Sequence, residues 1–124
     1  MNNMKKGKLF LIPSPLGEID FSMIFPVYNS NIIQDIDHFI VEELRTGRRF
    51  IKKLGMKKPI EQLDFYLLNE HSKPKECEGL LKPCLEGKDV GLLSEAGTPC
   101  VADPGNIVVA QAHRLGIEIV PLVG

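Results

Sequence analysis

The stretch from residue 90 to residue 120 decides the fold: Val90-Gly91-Leu92-Leu93, then Ser94-Glu95-Ala96-Gly97-Thr98-Pro99-Cys100-Val101-Ala102-Asp103-Pro104-Gly105, then Ile107 to Leu115, Gly116 and Ile117-Glu118-Ile119-Val120. The first run is short, apolar and bounded by polar residues, as a buried strand is. Asp103 is a helix N-cap type, Pro104 fits the first helical position, where no backbone N–H is needed, and Gly116 is a C-terminal stop. The second β-rich run follows at once. Strand, loop, helix, strand is one β-α-β unit, and it implies parallel pairing.

Working outward, three more runs have the same character: Leu9 to Ile12, Phe39 to Val41 and Phe65 to Leu68. With Val90 to Leu93 and Ile117 to Val120 they make five strands, whose starts fall 25 to 30 residues apart. The intervals carry helical patterns in place of tight hairpin turns. In the first, Pro26 opens a short or irregular helix toward Ile33, weakened by Asn29, Ser30 and Asn31. In the second, Phe50, Ile51 and Leu54 form an apolar stripe ending at Gly55, with Arg48, Arg49, Lys52 and Lys53 on the opposite face. In the third, Cys77, Leu80, Leu81, Cys84 and Leu85 follow helical spacing from Pro74 to a stop at Gly87, with a bend expected at Pro83. The expected fold class is therefore α/β, a mostly parallel five-stranded sheet with helices on both faces.

A chain of 124 residues, 44% hydrophobic and 25% charged, is an ordinary globular domain that needs neither disulfide nor metal to hold its core. The formal net charge of −1 excludes blanket attraction to nucleic acid or membrane and leaves local patches open. Cys77, Cys84 and Cys100 form no Cys-x-x-Cys pair and have no histidine at zinc spacing, so no metal site is expected and a reduced, cytoplasmic setting is. Leu9 to Ile12 stops at Pro13, too short for a signal core or a membrane span. After the fifth strand the chain ends at Pro121-Leu122-Val123-Gly124 with no helix to follow. Residues 1–124 therefore read as the N-terminal domain of a longer chain, with a C-terminal domain absent.

In a parallel sheet, ligands bind beyond the carboxyl ends of the strands. The loops expected there are Pro13 to Gly17, Glu42 to Gly47, Asn69-Glu70-His71 and Ser94 to Gly105. The last exceeds the usual length of about 2–6 residues and carries glycines and prolines, so it reads as a shaped site: Gly97 permits close approach, while Ser94, Glu95 and Thr98 offer directed hydrogen bonds. No Gly-x-Gly-x-x-Gly follows the first strand, and Gly79 to Lys88 lacks Walker A spacing, so neither nucleotide motif is present. From Arg45 to Lys58 there are seven basic side chains and no acid, a face that either tracks phosphates or is simply solvated. Of the three histidines only His71 lies on the expected rim; the cysteines at 77 and 84 read as packing.

The rim segments Pro13-Ser14-Pro15-Leu16-Gly17, Glu42-Glu43-Leu44-Arg45, Asn69-Glu70, Ser94 to Pro99 with Ala102 to Gly105, and Val120 to Gly124 resemble, in order, those of the tetrapyrrole (corrin/porphyrin) methylase superfamily, and most nearly its ribosomal RNA branch. That branch usually reads Gly-Asn-Leu, Glu-Asp-Thr-Arg and Ser-Asp-Ala-Gly, where this chain has Gly17-Glu18-Ile19, Glu42-Glu43-Leu44-Arg45 and Ser94-Glu95-Ala96-Gly97. The resemblance implies a two-domain, homodimeric methyltransferase outside the Rossmann class, without metal, that holds S-adenosylmethionine between its domains. Carried onto this sequence, it places Pro15, Gly17, Ser94, Glu95, Ala96, Gly97, Thr98 and Gly124 at the donor. The acceptor it implies is a cytidine ribose 2′-hydroxyl of small-subunit ribosomal RNA or, in the other branch, a tetrapyrrole carbon. A ribose hydroxyl must lose a proton, for which Glu43 or Glu70 is the candidate base, with Arg45 as the orienting cation and Arg48, Arg49, Lys52 and Lys53 as RNA contacts. The alternative of another class is a non-catalytic α/β binding module, and the piece alone is expected to be inactive.

Overall fold

The computed structural model describes residues 5–14, 31–69, 72, 73, 75, 77, 79–95 and 105–122. Its elements, in chain order, are β1 (Leu9–Ser14), β2 (His38–Val41), α1 (Leu44–Lys53), a 3-10 turn at Ile60–Gln62, β3 (Asp64–Leu67), α2 (Lys82–Leu85), β4 (Val90–Glu95), α3 (Gly105–Leu115) and β5 (Ile119–Pro121). The strands form one sheet in the order β3-β2-β4-β1-β5, and every pairing is parallel. The expected α/β architecture is the observed one.

Alternation along the strands builds the two sides of the core. Leu9, Ile40, Val90, Leu92 and, less deeply, Leu11, Tyr66 and Ile119 face one apolar cluster, where Leu81 and Cys84 of the β3–β4 connection and Val108 and Ala112 of α3 cover them. Phe10, Ile12, Phe39, Val41, Leu93 and, less deeply, Phe65 and Val120 face the other, covered by Ile33, Phe50 and Ile51. Neighbouring strand residues thus divide between opposite faces, and on the central strands β2 and β4 both faces are buried, which is why those runs are apolar, while edge strand β3 leaves Leu67 45% exposed. Gly91 sits where a Cβ would lie 2.7 Å from Ile12 Cδ1 and 3.1 Å from Phe39 Cδ1; its missing side chain lets those two pack over β4.

Helix ends explain where the sequence reading and the structure differ. Gly116 takes φ +71, its N–H donates to the His113 carbonyl at 3.3 Å, and the Ile117 N–H donates to the Ala112 carbonyl at 2.9 Å. This double bond closes α3 with a left-handed glycine. It uses Ile117, so β5 begins at Ile119 and not at residue 117. The third helical interval is broken. Residues 75 and 77 are helical, 79–81 form a turn, and α2 starts afresh at Lys82 with Pro83 in its first turn, where no donor is needed. A continuous helix would require a bond from residue 83 to the carbonyl of residue 79, and proline cannot give it. Cys77, Leu80, Leu81 and Cys84 are buried as the stripe implies, while Leu85 is 43% exposed. The helix expected from Pro26 lies outside the described residues except at 31–33, which are helical.

Candidate functional site

Parallel pairing puts the carboxyl ends of the strands on one edge. Pro13 and Ser14 stand in register with Ser94 and Glu95, so the ends of β1 and β4 are adjacent. On the far side of β1, Leu11 pairs with Pro121, and the Leu122 N–H donates to the Leu11 carbonyl at 2.9 Å. The segments leading to residues 15–17, 96–98 and 123–124 therefore leave from three neighbouring strands, with β1 in the middle. From β1 and β2 the described parts of the connections (Ile33; Phe50 and Ile51) lie on one face of the sheet, whereas α3, which follows β4, lies on the other. Connections that leave to opposite faces make the end of β4 a topological switch point, the place where open parallel sheets take ligands.

Ser94 and Glu95, read from sequence as loop residues, are the last two residues of β4. Pro15, Gly17, Glu70, His71, Ala96, Gly97, Thr98, Cys100, Asp103, Pro104 and Gly124 lie outside the described residues.

The loop after β2 is shorter than Glu42 to Gly47. Helix α1 begins at Leu44 with Glu43 as its N-cap residue, so Arg45, Thr46 and Gly47 are helical. Thr46 Oγ1 donates to Glu43 Oε1 at 2.6 Å, fixing the carboxylate over the first turn and leaving Oε2 for another donor. The helix N-terminus, with its unsatisfied N–H groups, is thus at the rim and carries an acid, the favourable sign there.

From that rim α1 runs with its apolar stripe inward and its cations outward. Arg45, Arg48, Arg49 and Lys52 line one open depression of about 590 Å³, floored by Leu44 and Ile60. Their spacing of three and four residues puts them on one helix face. Arg48 also lies over the Phe65 ring at 5.6 Å, and that ring stacks on Phe39 at 5.5 Å, so its guanidinium is anchored. Lys53 is exposed but does not line the depression. Of the remaining cations in the run, Lys58 is engaged by Asp37 at 2.7 Å. The sequence signalled the charge of this face, whereas the apolar part of its lining was missed, because Leu44 and Ile60 come to one depression only in the folded chain.

One polar cluster was also missed. His38 Nδ1 lies 3.0 Å from the Tyr66 hydroxyl and 3.5 Å from Asp64 Oδ2. Burial pushes the Tyr66 phenol above its ordinary pKa, and the carboxylates of Asp64 and Glu86 push the same way. His38 and Asp64 open β2 and β3, so this cluster sits toward the edge opposite the carboxyl rim. Cys77 and Cys84 are free and buried, as their positions on the stripe imply. Burial and, secondarily, Asp89 raise the Cys84 thiol to about 12, so it is a packing group and not a nucleophile. Among the described residues no cluster of three metal-ligating side chains occurs, and no helix is long and apolar enough to cross a membrane.

These features define a parallel α/β domain with adjacent strand ends along one rim and a cationic helix beside it. No family model matches the chain. It is similar over 113 residues, at 33% identity, to ribosomal RNA small subunit methyltransferase I of Thermotoga maritima, covering 91% of this chain and 47% of that one. The protein of the same name from Pseudomonas aeruginosa is 31% identical over 121 residues, 98% of this chain and 40% of its own length. That from Buchnera aphidicola is 27% identical over all 124 residues, 41% of its length. By these matches the chain is similar to ribosomal RNA small subunit methyltransferase I, in line with the ribosomal RNA branch that its rim motifs resemble, and it spans about two-fifths to one half of the relatives it matches.

Proposed function

We propose that this chain is the N-terminal domain of a methyltransferase that uses S-adenosylmethionine to methylate a cytidine ribose 2′-hydroxyl of small-subunit ribosomal RNA, in the cytoplasm and as a homodimer. The observation that carries the reading is convergence. The motifs that resemble the family's donor loops leave from β1, β4 and β5, three strands that are neighbours in space but not in sequence. Pro15, Gly17, Ser94 to Thr98 and Gly124 would hold the donor beyond the ends of these three strands. When bound, the donor supplies an electrophilic methyl group on a sulfonium.

The acceptor hydroxyl must be oriented and deprotonated. Glu43, fixed by Thr46 one strand away from the end of β4, or Glu70, beyond the end of β3, takes that proton. Arg45, two residues after Glu43, orients an RNA phosphate, and Arg48, Arg49, Lys52 and Lys53 add cationic contacts. The relatives' printed name supports the ribosomal RNA acceptor, and a basic helix in a chain of formal net charge −1 agrees with it.

The test is transfer of labelled methyl from S-adenosylmethionine by the full-length protein to small-subunit ribosomal RNA and, separately, to a tetrapyrrole fraction. Label in a ribose of the RNA, falling steeply as salt rises, is the expected result. Transfer to the tetrapyrrole alone, indifferent to salt, would refute the RNA reading; no transfer and no donor binding would leave a non-catalytic module.

A further inference from the structure

Building on that reading, we infer that the outward face of α1 is an RNA backbone track: it holds consecutive phosphates of the strand leading to the acceptor and does not read bases. The apolar floor of Leu44 and Ile60 is open and shallow, and the side chains lining it offer cationic donors and aliphatic surface, with no aromatic ring among them. Stacking platforms that grip bases use aromatics. Amide and carboxylate side chains, which read adenine and cytosine edges, are likewise missing from the lining, and its arginines, which can also pair with guanine, stand with Lys52 in a continuous cationic row suited to phosphates. What remains matches a ribose-phosphate chain, with sugars against the aliphatic floor and phosphates on the cations.

The dimensions agree. Arg45 to Lys52 spans seven residues of helix, about 10 Å at roughly 1.5 Å per residue. A stacked strand advances about 3.4 Å per nucleotide, so the row meets about three phosphates. Arg45, Arg49 and Lys52 have no carboxylate partner among the described residues, so their charge is available, while Arg48 over Phe65 sets the wall. The row also has a direction. Arg45 lies in the first turn, next to the rim, and Lys52 near the far end. RNA laid along it therefore ends at Glu43 and the rim. Binding on this face is positional, and the choice of target nucleotide must come from elsewhere in the enzyme.

The experiment uses the full-length protein, a labelled small-subunit ribosomal RNA segment, and a scrambled RNA of the same length and composition, followed by fluorescence anisotropy across a salt series. The double substitution R49A/K52A should weaken both RNAs by the same factor. It should also make the slope of log affinity against log salt shallower by about 1.4, at roughly 0.7 per lost phosphate contact on a single strand. K75A/K82A, which removes two exposed lysines of the β3–β4 connection, should leave that slope unchanged. Calorimetric binding of S-adenosylmethionine by R49A/K52A reports that the donor site is intact. An equal loss of slope in K75A/K82A would show general attraction and overturn the track. A larger loss for the ribosomal sequence than for the scrambled one would show base reading and overturn it too. Unchanged RNA binding in R49A/K52A, with methyl transfer to RNA intact in the parent, would assign the face to an acidic segment or a second copy and leave the methyltransferase reading standing. Failure of the parent protein to bind or methylate RNA would instead remove that reading itself.

Discussion

Replacing Gly47 by alanine sets helix propensity against packing, and the structure decides the sign. In an open helix the change gains about 1 kcal/mol, because alanine loses less backbone freedom on folding. Here the new Cβ would lie 2.5 Å from Val41 Cγ1 and 2.9 Å from Val41 Cβ. Val41 is buried at 2% exposure, its χ1 is stiff because it is β-branched, and its backbone is held in β2 between two paired strands. It cannot swing aside, so α1 must lift from the sheet. Overpacking costs about 1–3 kcal/mol, and with two atoms of Val41 inside 3 Å the upper part of that range, about 2–3 kcal/mol, applies; after the propensity gain of about 1 kcal/mol G47A should destabilise by about 1–2 kcal/mol. Urea unfolding of the chain, followed by far-ultraviolet circular dichroism, should show a midpoint lowered by about 0.5–1 M for a slope of about 2 kcal/mol/M. The companion is V41A, which opens space at the contact. In that background G47A should be neutral or stabilising by up to about 1 kcal/mol, giving a coupling energy of about 2 kcal/mol across the cycle. If G47A stabilises the chain while Val41 is present, the contact between α1 and β2 is not as described and the argument fails.

Three further outcomes follow from the geometry. Glu43→Gln in the full-length enzyme should lower single-turnover methyl transfer by about 10²-fold or more if Glu43 is the base, with Glu70→Gln as the parallel measurement; full rates in both would remove a rim carboxylate from the chemistry. The Cys84 thiol, raised to about 12 in the fold against 9.0 unperturbed, makes the unfolded chain ionise first as pH rises. Its contribution is intact below about pH 9 and declines between 9 and 12; denaturation at pH 8 and pH 10 should show that loss, smaller in Cys84→Ala, and equal losses would count against it. Gly116→Ala, at φ +71, should cost about 1–2 kcal/mol and Gly116→Asn less, as read by thermal melting; equal costs would mean that the left-handed cap is not what closes α3.

The strands were legible because burial on both faces leaves an unmistakable apolar run, and Gly116 was legible because a left-handed stop favours one residue. The helix through Cys77 and Cys84 was half legible. Its stripe reports which residues are buried, which the structure confirms except at Leu85, but periodicity cannot report that Pro83 needs a fresh start to lose its missing bond harmlessly. Gly47 looked like a loop residue for a related reason: a glycine needed for close approach and one needed for a turn are the same letter. The His38, Asp64 and Tyr66 cluster was invisible because register alone joins β2 to β3. Charge on α1 was visible from the letters, whereas its shape was not, since Ile60 joins Leu44 in lining the depression only through the tertiary fold.

The strand order would put the proposed donor and acceptor sites on different elements. Inserting β4 between β1 and β2 puts the long glycine-containing loop at the middle of the rim, flanked by two strands whose connections leave to the opposite face. The rim on the β1 side is bordered further by β5, and the three segments that resemble donor loops all start there. On the β2 side the neighbour is the start of α1, which brings a carboxylate, the positive helix end and the first of a row of cations. A sulfonium is itself cationic, so a row of arginines beside β1 would repel it, while the same row beside β2 attracts a phosphate. The row starts one strand beyond the segment that follows β1 and beside the one that follows β4, and the N-cap carboxylate of Glu43 precedes its first cation. Moving the cations to the donor side, for example by placing arginine at Pro13, should therefore weaken binding of the sulfonium donor more than that of its neutral, demethylated product; equal losses in calorimetry would show that charge placement along the rim is not what divides the two functions.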